Sequence, residues 1–123
     1  MAGKGLRLAD AGFEKPKPLI EIKNKTIMEW SINSLSLDGT FIFCPKQEHI
    51  ERFGIDSKLK EISNDCKIGP ISYDTHGPVD TILNARDLID NNDELLITDV
   101  DHYVEWDAQW YFLNLKTMRH TVL

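Results

Sequence analysis

Short apolar runs alternate with amphipathic stretches along this 123-residue chain, and that alternation restricts the folds open to it more than any other feature. Thr40-Phe41-Ile42-Phe43-Cys44 is apolar without strict polar alternation, the pattern of a strand covered on both faces, and Glu94-Leu95-Leu96-Ile97-Thr98 repeats it. Leu19 to Ile22 predicts a short strand with a turn at Asn24-Lys25, and Lys67 to Tyr73 a weaker strand interrupted by Gly69 and Pro70. Helices are predicted between them. Thr26 with Glu29 forms a capping box in front of Ile27, Met28, Trp30, Ile32 and Leu35, which gives an amphipathic helix ending before Asp38-Gly39. Pro45 ends the strand before it, and Glu48 to Phe53 and Ser57 to Ile62 read as two helical pieces separated near Gly54. Gly77-Pro78 opens another helix, with Val79, Ile82, Leu83, Ala85 and Ile89 as its buried face and Asn91-Asn92 at its close. Asp107 is placed to cap a last helix from Ala108 to about Leu115. Strands and helices alternating at this spacing predict an α/β sandwich with a largely parallel sheet. No internal repeat, low-complexity tract or linker divides the chain, so residues 1–123 read as one domain or one piece of one.

Charge narrows the partners. The net charge is −6, which disfavours nonspecific binding to nucleic acid or to an anionic membrane surface. No stretch approaches the roughly 20 apolar residues of a membrane span, and the N-terminus has no apolar signal core, so the expectation is a soluble, cytoplasmic protein. Cys44 and Cys66 form neither a CxxC pair nor a metal-ligand spacing and read as two reduced cysteines. Yet from Met1 to Lys25 only Asp10, Glu14 and Glu21 oppose Lys4, Arg7, Lys15, Lys17, Lys23 and Lys25. A local cationic patch in an acidic protein suits a small anionic ligand such as a nucleotide; a solvated lysine-rich leader is the competing reading.

Three segments carry chemistry. Gly3 and Gly5 let the backbone turn tightly around Lys4 and bring N–H groups near phosphate oxygens, with Arg7 and Lys17 adding positive charge. The pattern matches neither the P-loop nor the dinucleotide fingerprint. Prolines 16 and 18 restrict the backbone around Lys17 and set the direction in which it projects. Asp99-Val100-Asp101 follows an apolar run, where an aspartate can hold Mg²⁺ or Mn²⁺ through oxygen ligands; a turn or cap aspartate is the alternative for the tripeptide alone. His49, His76, His102 and His120 show no metal-binding spacing and read as surface or loop residues, and Trp30, Trp106 and Trp110 as packing residues, with Trp106 near enough to the aspartates to shape a pocket.

The ordered set MAGKGLR, PKPLIEI, HGPVDTILNAR and TDVDHYVEWD resembles the sugar-phosphate nucleotidyltransferase family over nearly the whole chain. The sequence Tyr103 to Asp107 is similar to that of the subgroup acting in capsule and surface-polysaccharide biosynthesis. The resemblance implies a three-layer α/β/α sandwich with a mostly parallel, Rossmann-related, GT-A-like sheet. It also implies Gly3, Lys4 and Gly5 against the nucleotide phosphates, Arg7 and Lys17 neutralising the attacked α-phosphate, and the Gly77-Pro78 loop near the base. Asp101 would be the metal-binding aspartate, with Asp99 its neighbour and Mg²⁺ or Mn²⁺ as cofactor. The implied reaction joins a nucleoside triphosphate to a sugar phosphate or similar phosphorylated acceptor and releases pyrophosphate.

Two departures from the family pattern shape the expectations. Members begin with an apolar strand just before the glycine loop, and Met1 here falls inside that boundary; the chain also ends near Leu123, before the second metal aspartate and most acceptor contacts. These predict the nucleotide-binding portion of a truncated or divided domain with an incomplete sheet, to be completed by a homo-oligomer or a complementing chain. Competing functions are a nucleotide-binding or regulatory fragment without turnover, a GT-A glycosyltransferase using a nucleotide sugar, and an inert α/β remnant.

Overall fold

The computed structural model describes residue 12 and residues 14–89 and 92–115. A 3₁₀ turn at Lys17–Leu19 leads into strand β1 (Glu21–Ile22), which pairs antiparallel with β2 (Lys25–Thr26). Lys23 and Asn24 both take positive φ, 50° and 65°, which closes this hairpin with a two-residue turn whose twist matches its strands. The turn therefore sits one residue before the predicted position, and Leu19, the first residue of the predicted strand, ends a 3₁₀ turn instead, in a segment where Pro16 and Pro18 fix φ.

Helix α1 (Ile27–Leu35) starts on the capping box the sequence predicts. The Thr26 hydroxyl accepts from the Glu29 N–H at 3.2 Å, and the Glu29 carboxylate accepts from the Thr26 N–H at 2.7 Å and its hydroxyl at 2.8 Å. These Thr26 bonds, backbone first, hold the Glu29 carboxyl below its ordinary range. A group depressed in this way stabilises the fold above the unfolded glutamate pKa of about 4.3 and ceases to do so as pH falls through the folded value. Glu29→Ala is therefore expected to cost about 1 kcal/mol at pH 7, the usual scale of a lost cap. The gap to the parent protein should narrow at pH 3, and urea unfolding at the two pH values checks this.

Strand β3 (Ile42–Phe43) pairs parallel with β4 (Lys67–Ile68), and Lys46 bridges Ile71 further along. Between them lie helices α2 (Gln47–Phe53) and α3 (Ile55–Ile62). Gly54 joins these two helices at φ 58°, a left-handed conformation that a side chain would strain. Leu19, Met28, Ile32, Phe43, Ile55 and Leu59 form the buried core, so the 3₁₀ turn, α1, β3 and α3 meet around one cluster. Helices α4 (Pro78–Asn84) and α5 (Arg86–Ile89) follow, then α6 (Ala108–Leu115). Gly69 lets β4 approach this part of the chain closely: a Cβ there would lie 3.2 Å from the Leu88 side chain.

Helix, strand and crossover order agree with a mixed α/β fold, but two expectations fail. Glu94 to Thr98 forms no strand, and Leu95, Leu96 and Ile97 are 52%, 38% and 57% exposed. A buried strand needs a ladder partner, and among the described residues none pairs with this run, which lines an open cleft together with residues 41–44. Val79 and Leu83, expected on the buried face of α4, are 70% and 61% exposed, while Ala85 is buried. Cys44 and Cys66 are free and half-buried, and burial raises the pKa of both thiols. No helix among the described residues is long and apolar enough to cross a membrane.

Candidate functional site

Helix α1 holds both halves of the acidic-basic site. On one side Leu19, buried in the core, anchors the 3₁₀ turn against Met28 and Ile32, while the Leu19 N–H donates to the Pro16 carbonyl at 2.9 Å. Lys17 is thereby held at the start of that turn with a half-exposed side chain. On the other side, α1 fixes the loop that carries the aspartates. Ser31 Oγ donates to the Asp99 carbonyl at 3.2 Å, the Val104 N–H donates to Ser34 Oγ at 3.1 Å, and Trp106 Nε1 donates to the Leu35 carbonyl at 2.9 Å. Val100 packs on the same core cluster.

These anchors bring Lys17 and Asp101, 84 residues apart, into a direct ion pair through Nζ and Oδ2. The Lys17 hydrogen bond, followed by its charge and that of His102, holds the Asp101 carboxyl below its ordinary range against an opposing contribution from burial. His102 Nδ1 lies 3.3 Å from Asp99 Oδ2 and 3.5 Å from Asp101 Oδ1. One ligand atom from each of Asp99, Asp101 and His102 falls within 4.8 Å of the others. Asp99 is the more solvated carboxylate, with a side chain 64% exposed against 28% for Asp101.

Such a donor set suits a hard divalent cation. Mg²⁺ takes one or two carboxylates and completes its shell with water and phosphate oxygens, and an imidazole beside them is also acceptable to Mn²⁺. Of the two carboxylates, Asp101 is the one partly shielded from water, and its Oδ2 is engaged by Lys17.

The other sequence candidates fall in different places. Gly3, Lys4, Gly5 and Arg7 lie outside the described residues. Gly77 precedes α4, and its carbonyl accepts from the Thr81 N–H and hydroxyl, each at 3.2 Å; no contact among the described residues joins it to the Asp99–His102 loop. Trp106 lies against Tyr111 and Phe112 with ring centroids 5.1 and 6.2 Å away, so it ties α6 to the acidic loop. His102 is an exposed loop residue, as expected, and it lies against both aspartates; its i,i+3 spacing from Asp99 is the signal the sequence offers. Ser31 and Ser34, the hydroxyls that position the loop, carry no such signal, because their role depends on residues 68 to 70 positions away.

No family model matches the sequence, and no curated protein matches it. Among solved structures, a nucleoside-diphosphate-sugar pyrophosphorylase from Vibrio cholerae RC9 superposes with a TM-score of 0.63 at 23% identity. The match covers 71% of this chain and 37% of that one, so the chain spans little more than a third of the solved protein it resembles. That likeness shows a shared α/β fold over the matched part of the two chains.

Proposed function

We propose that this chain binds the triphosphate end of a nucleoside triphosphate beside a divalent cation, as the nucleotide-binding portion of a sugar-phosphate nucleotidyltransferase with a Rossmann-related, GT-A-like sheet. The Lys17–Asp101 pair carries the reading, because it joins the PKPL and DVDH segments at one point. The name of the solved protein sharing the fold points to the same chemistry.

In this reading Asp101, with Asp99 beside it, would hold Mg²⁺ or Mn²⁺, which would supply charge neutralisation on the triphosphate. Lys17 directs its ammonium to a phosphate oxygen, and Arg7 supplies a second positive charge from the glycine-rich segment. Gly3, Lys4 and Gly5 present backbone N–H groups to the phosphates, and Gly77 approaches the base. An ionised phosphate oxygen of the acceptor attacks the α-phosphorus, the bond from that phosphorus to the bridging oxygen breaks, and pyrophosphate leaves with the electron pair. The nucleophile is already an anion at neutral pH, so no general base is required. The Tyr103 to Asp107 sequence is the ground for placing the acceptor among capsule and surface-polysaccharide precursors.

Incubation of the chain with Mg²⁺, a nucleoside triphosphate and sugar phosphates is expected to release pyrophosphate, with a loss of at least a hundredfold on Arg7→Ala or Lys17→Ala. Metal-dependent nucleotide binding without pyrophosphate would instead identify a binding module, and use of a nucleotide sugar without triphosphate would identify a glycosyltransferase.

A further inference from the structure

His102 brings an aromatic nitrogen to a loop whose other candidate metal donors are carboxylate oxygens. Asp101 divides its two oxygens between different neighbours: Oδ2 pairs with Lys17, and Oδ1 faces His102 Nδ1 at 3.5 Å. Asp99 Oδ2 approaches the same nitrogen at 3.3 Å. Three donors from three side chains therefore gather around the Asp101 oxygen that Lys17 does not engage. The backbone that carries them is fastened to α1 on both flanks, by Ser31 Oγ at the Asp99 carbonyl and by Ser34 Oγ at the Val104 N–H. A ligand arriving there meets donors already assembled, so less of its binding energy is spent on ordering the loop.

We propose that His102 Nδ1 is a third ligand of the cation held by Asp101 and Asp99, and that this imidazole makes the site select Mn²⁺ over Mg²⁺. The inference rests on the reading of those two aspartates as cation ligands and names which ion they take. Mg²⁺ keeps oxygen ligands and gives up its water reluctantly, whereas divalent ions of the first transition row accept nitrogen donors readily. Spacing points the same way. Around Mg²⁺, with bonds of about 2.0–2.1 Å and near-ideal octahedral angles, adjacent donors stand about 3 Å apart. The separations of 3.3 and 3.5 Å are wider, so a larger ion needs less closure of the two carboxylates on the imidazole. Ca²⁺, with bonds of about 2.3–2.6 Å, would match the spacing, but it takes oxygen ligands, so the nitrogen is what separates Mn²⁺ from it. Three side-chain ligands leave positions for water and phosphate oxygens. The competing role for His102 is a surface ion pair, in which its protonated ring only neutralises the carboxylates. A cation would then displace the imidazole rather than recruit it, and removing His102 would strengthen metal binding.

Electron paramagnetic resonance of Mn²⁺ added to the full chain without nucleotide is the test, since the sharp signal of the free ion falls as the ion binds. Competition with Mg²⁺ and with Ca²⁺ gives their affinities in the same experiment. Mn²⁺ is expected to bind about tenfold or more tightly than either. His102→Ala replaces a largely exposed side chain, so the fold is retained; it is expected to lower Mn²⁺ affinity by about tenfold or more and Mg²⁺ affinity by less than about threefold. Pulsed spectra of the bound ion should show a coupled nitrogen nucleus in the parent protein that disappears in His102→Ala. Asp101→Asn separates this inference from the reading beneath it, because it should weaken Mn²⁺ and Mg²⁺ alike. If it does so while His102→Ala keeps the parent's Mn²⁺ affinity and nitrogen coupling, or binds Mn²⁺ more tightly, the aspartate site stands and His102 is not a ligand. If Asp101→Asn binds both ions as the parent does, the aspartate reading falls and this inference with it. Ca²⁺ binding as tight as that of Mn²⁺ would overturn the role of the nitrogen in selection.

Discussion

Asp101→Asn is expected to weaken Mg²⁺-dependent binding of a nucleoside triphosphate by about a hundredfold, measured by calorimetric titration of the folded chain. The substitution removes the carboxylate charge from an aspartate that both pairs with Lys17 and is partly shielded from water. Loss of a neighbouring support typically costs ten- to a hundredfold in metal affinity, and loss of a principal ligand belongs at or above the top of that range. Asp99→Asn should cost less, about tenfold, because Asp99 is more solvated and its position in the loop is kept by its main-chain carbonyl. Neither change should shift ligand-free unfolding by more than a degree or two, since exposed ion pairs contribute little to stability. Equal nucleotide affinity in parent and Asp101→Asn proteins would remove Asp101 from the site.

Leu59→Ala carries the largest expected effect on stability. Leu59 is fully buried and belongs to the cluster that joins α3 to α1, β3 and the 3₁₀ turn. Truncating a buried leucine costs about 2–5 kcal/mol, and this core is small and bordered by an open cleft. Against a total of about 5–15 kcal/mol for an ordinary domain, such a loss lowers the unfolding temperature by 10 °C or more. The same substitution should weaken nucleotide binding even below the transition, because the cluster also carries Leu19 and Val100, the residues that seat Lys17 and Asp101. A fall of less than 3 °C in a thermal scan would show that the cluster is not what holds the chain together.

Local signals were legible in the sequence wherever the interaction they describe is local. The Thr26–Glu29 box, the Gly54 break between α2 and α3, the Pro78 start and the Asp107 cap of α6 all form where their residues lie, with the Trp110 N–H donating to Asp107 Oδ1 at 2.8 Å. The run Glu94 to Thr98 shows the opposite case. Its composition specifies a buried strand, but burial and pairing come from a neighbour that the described residues do not supply. Exposure of Val79 and Leu83 follows from the same dependence, since an amphipathic face is buried only where something packs on it.

Half of the candidate site was readable in this way. Lys17 and Asp101 were singled out from separate motifs, and the fold pairs them. The supports beneath them were not readable. Ser31, Ser34 and the Leu35 carbonyl act on residues 68 to 71 positions away, and nothing in the local sequence of a helix announces such contacts.

The central claim is that Lys17 and Asp101 together make a metal-dependent triphosphate site. Thermal unfolding of the full chain with Mg²⁺ and each of CTP, UTP, GTP, ATP and dTTP tests it most directly. At a ligand concentration a hundred times Kd, binding adds about 2.7 kcal/mol, which raises the transition by about 10 °C. The account predicts such a rise with one base above the others, its loss when Mg²⁺ is withheld, and its loss in Lys17→Ala. A transition insensitive to every triphosphate, or one raised equally in Lys17→Ala, would contradict it.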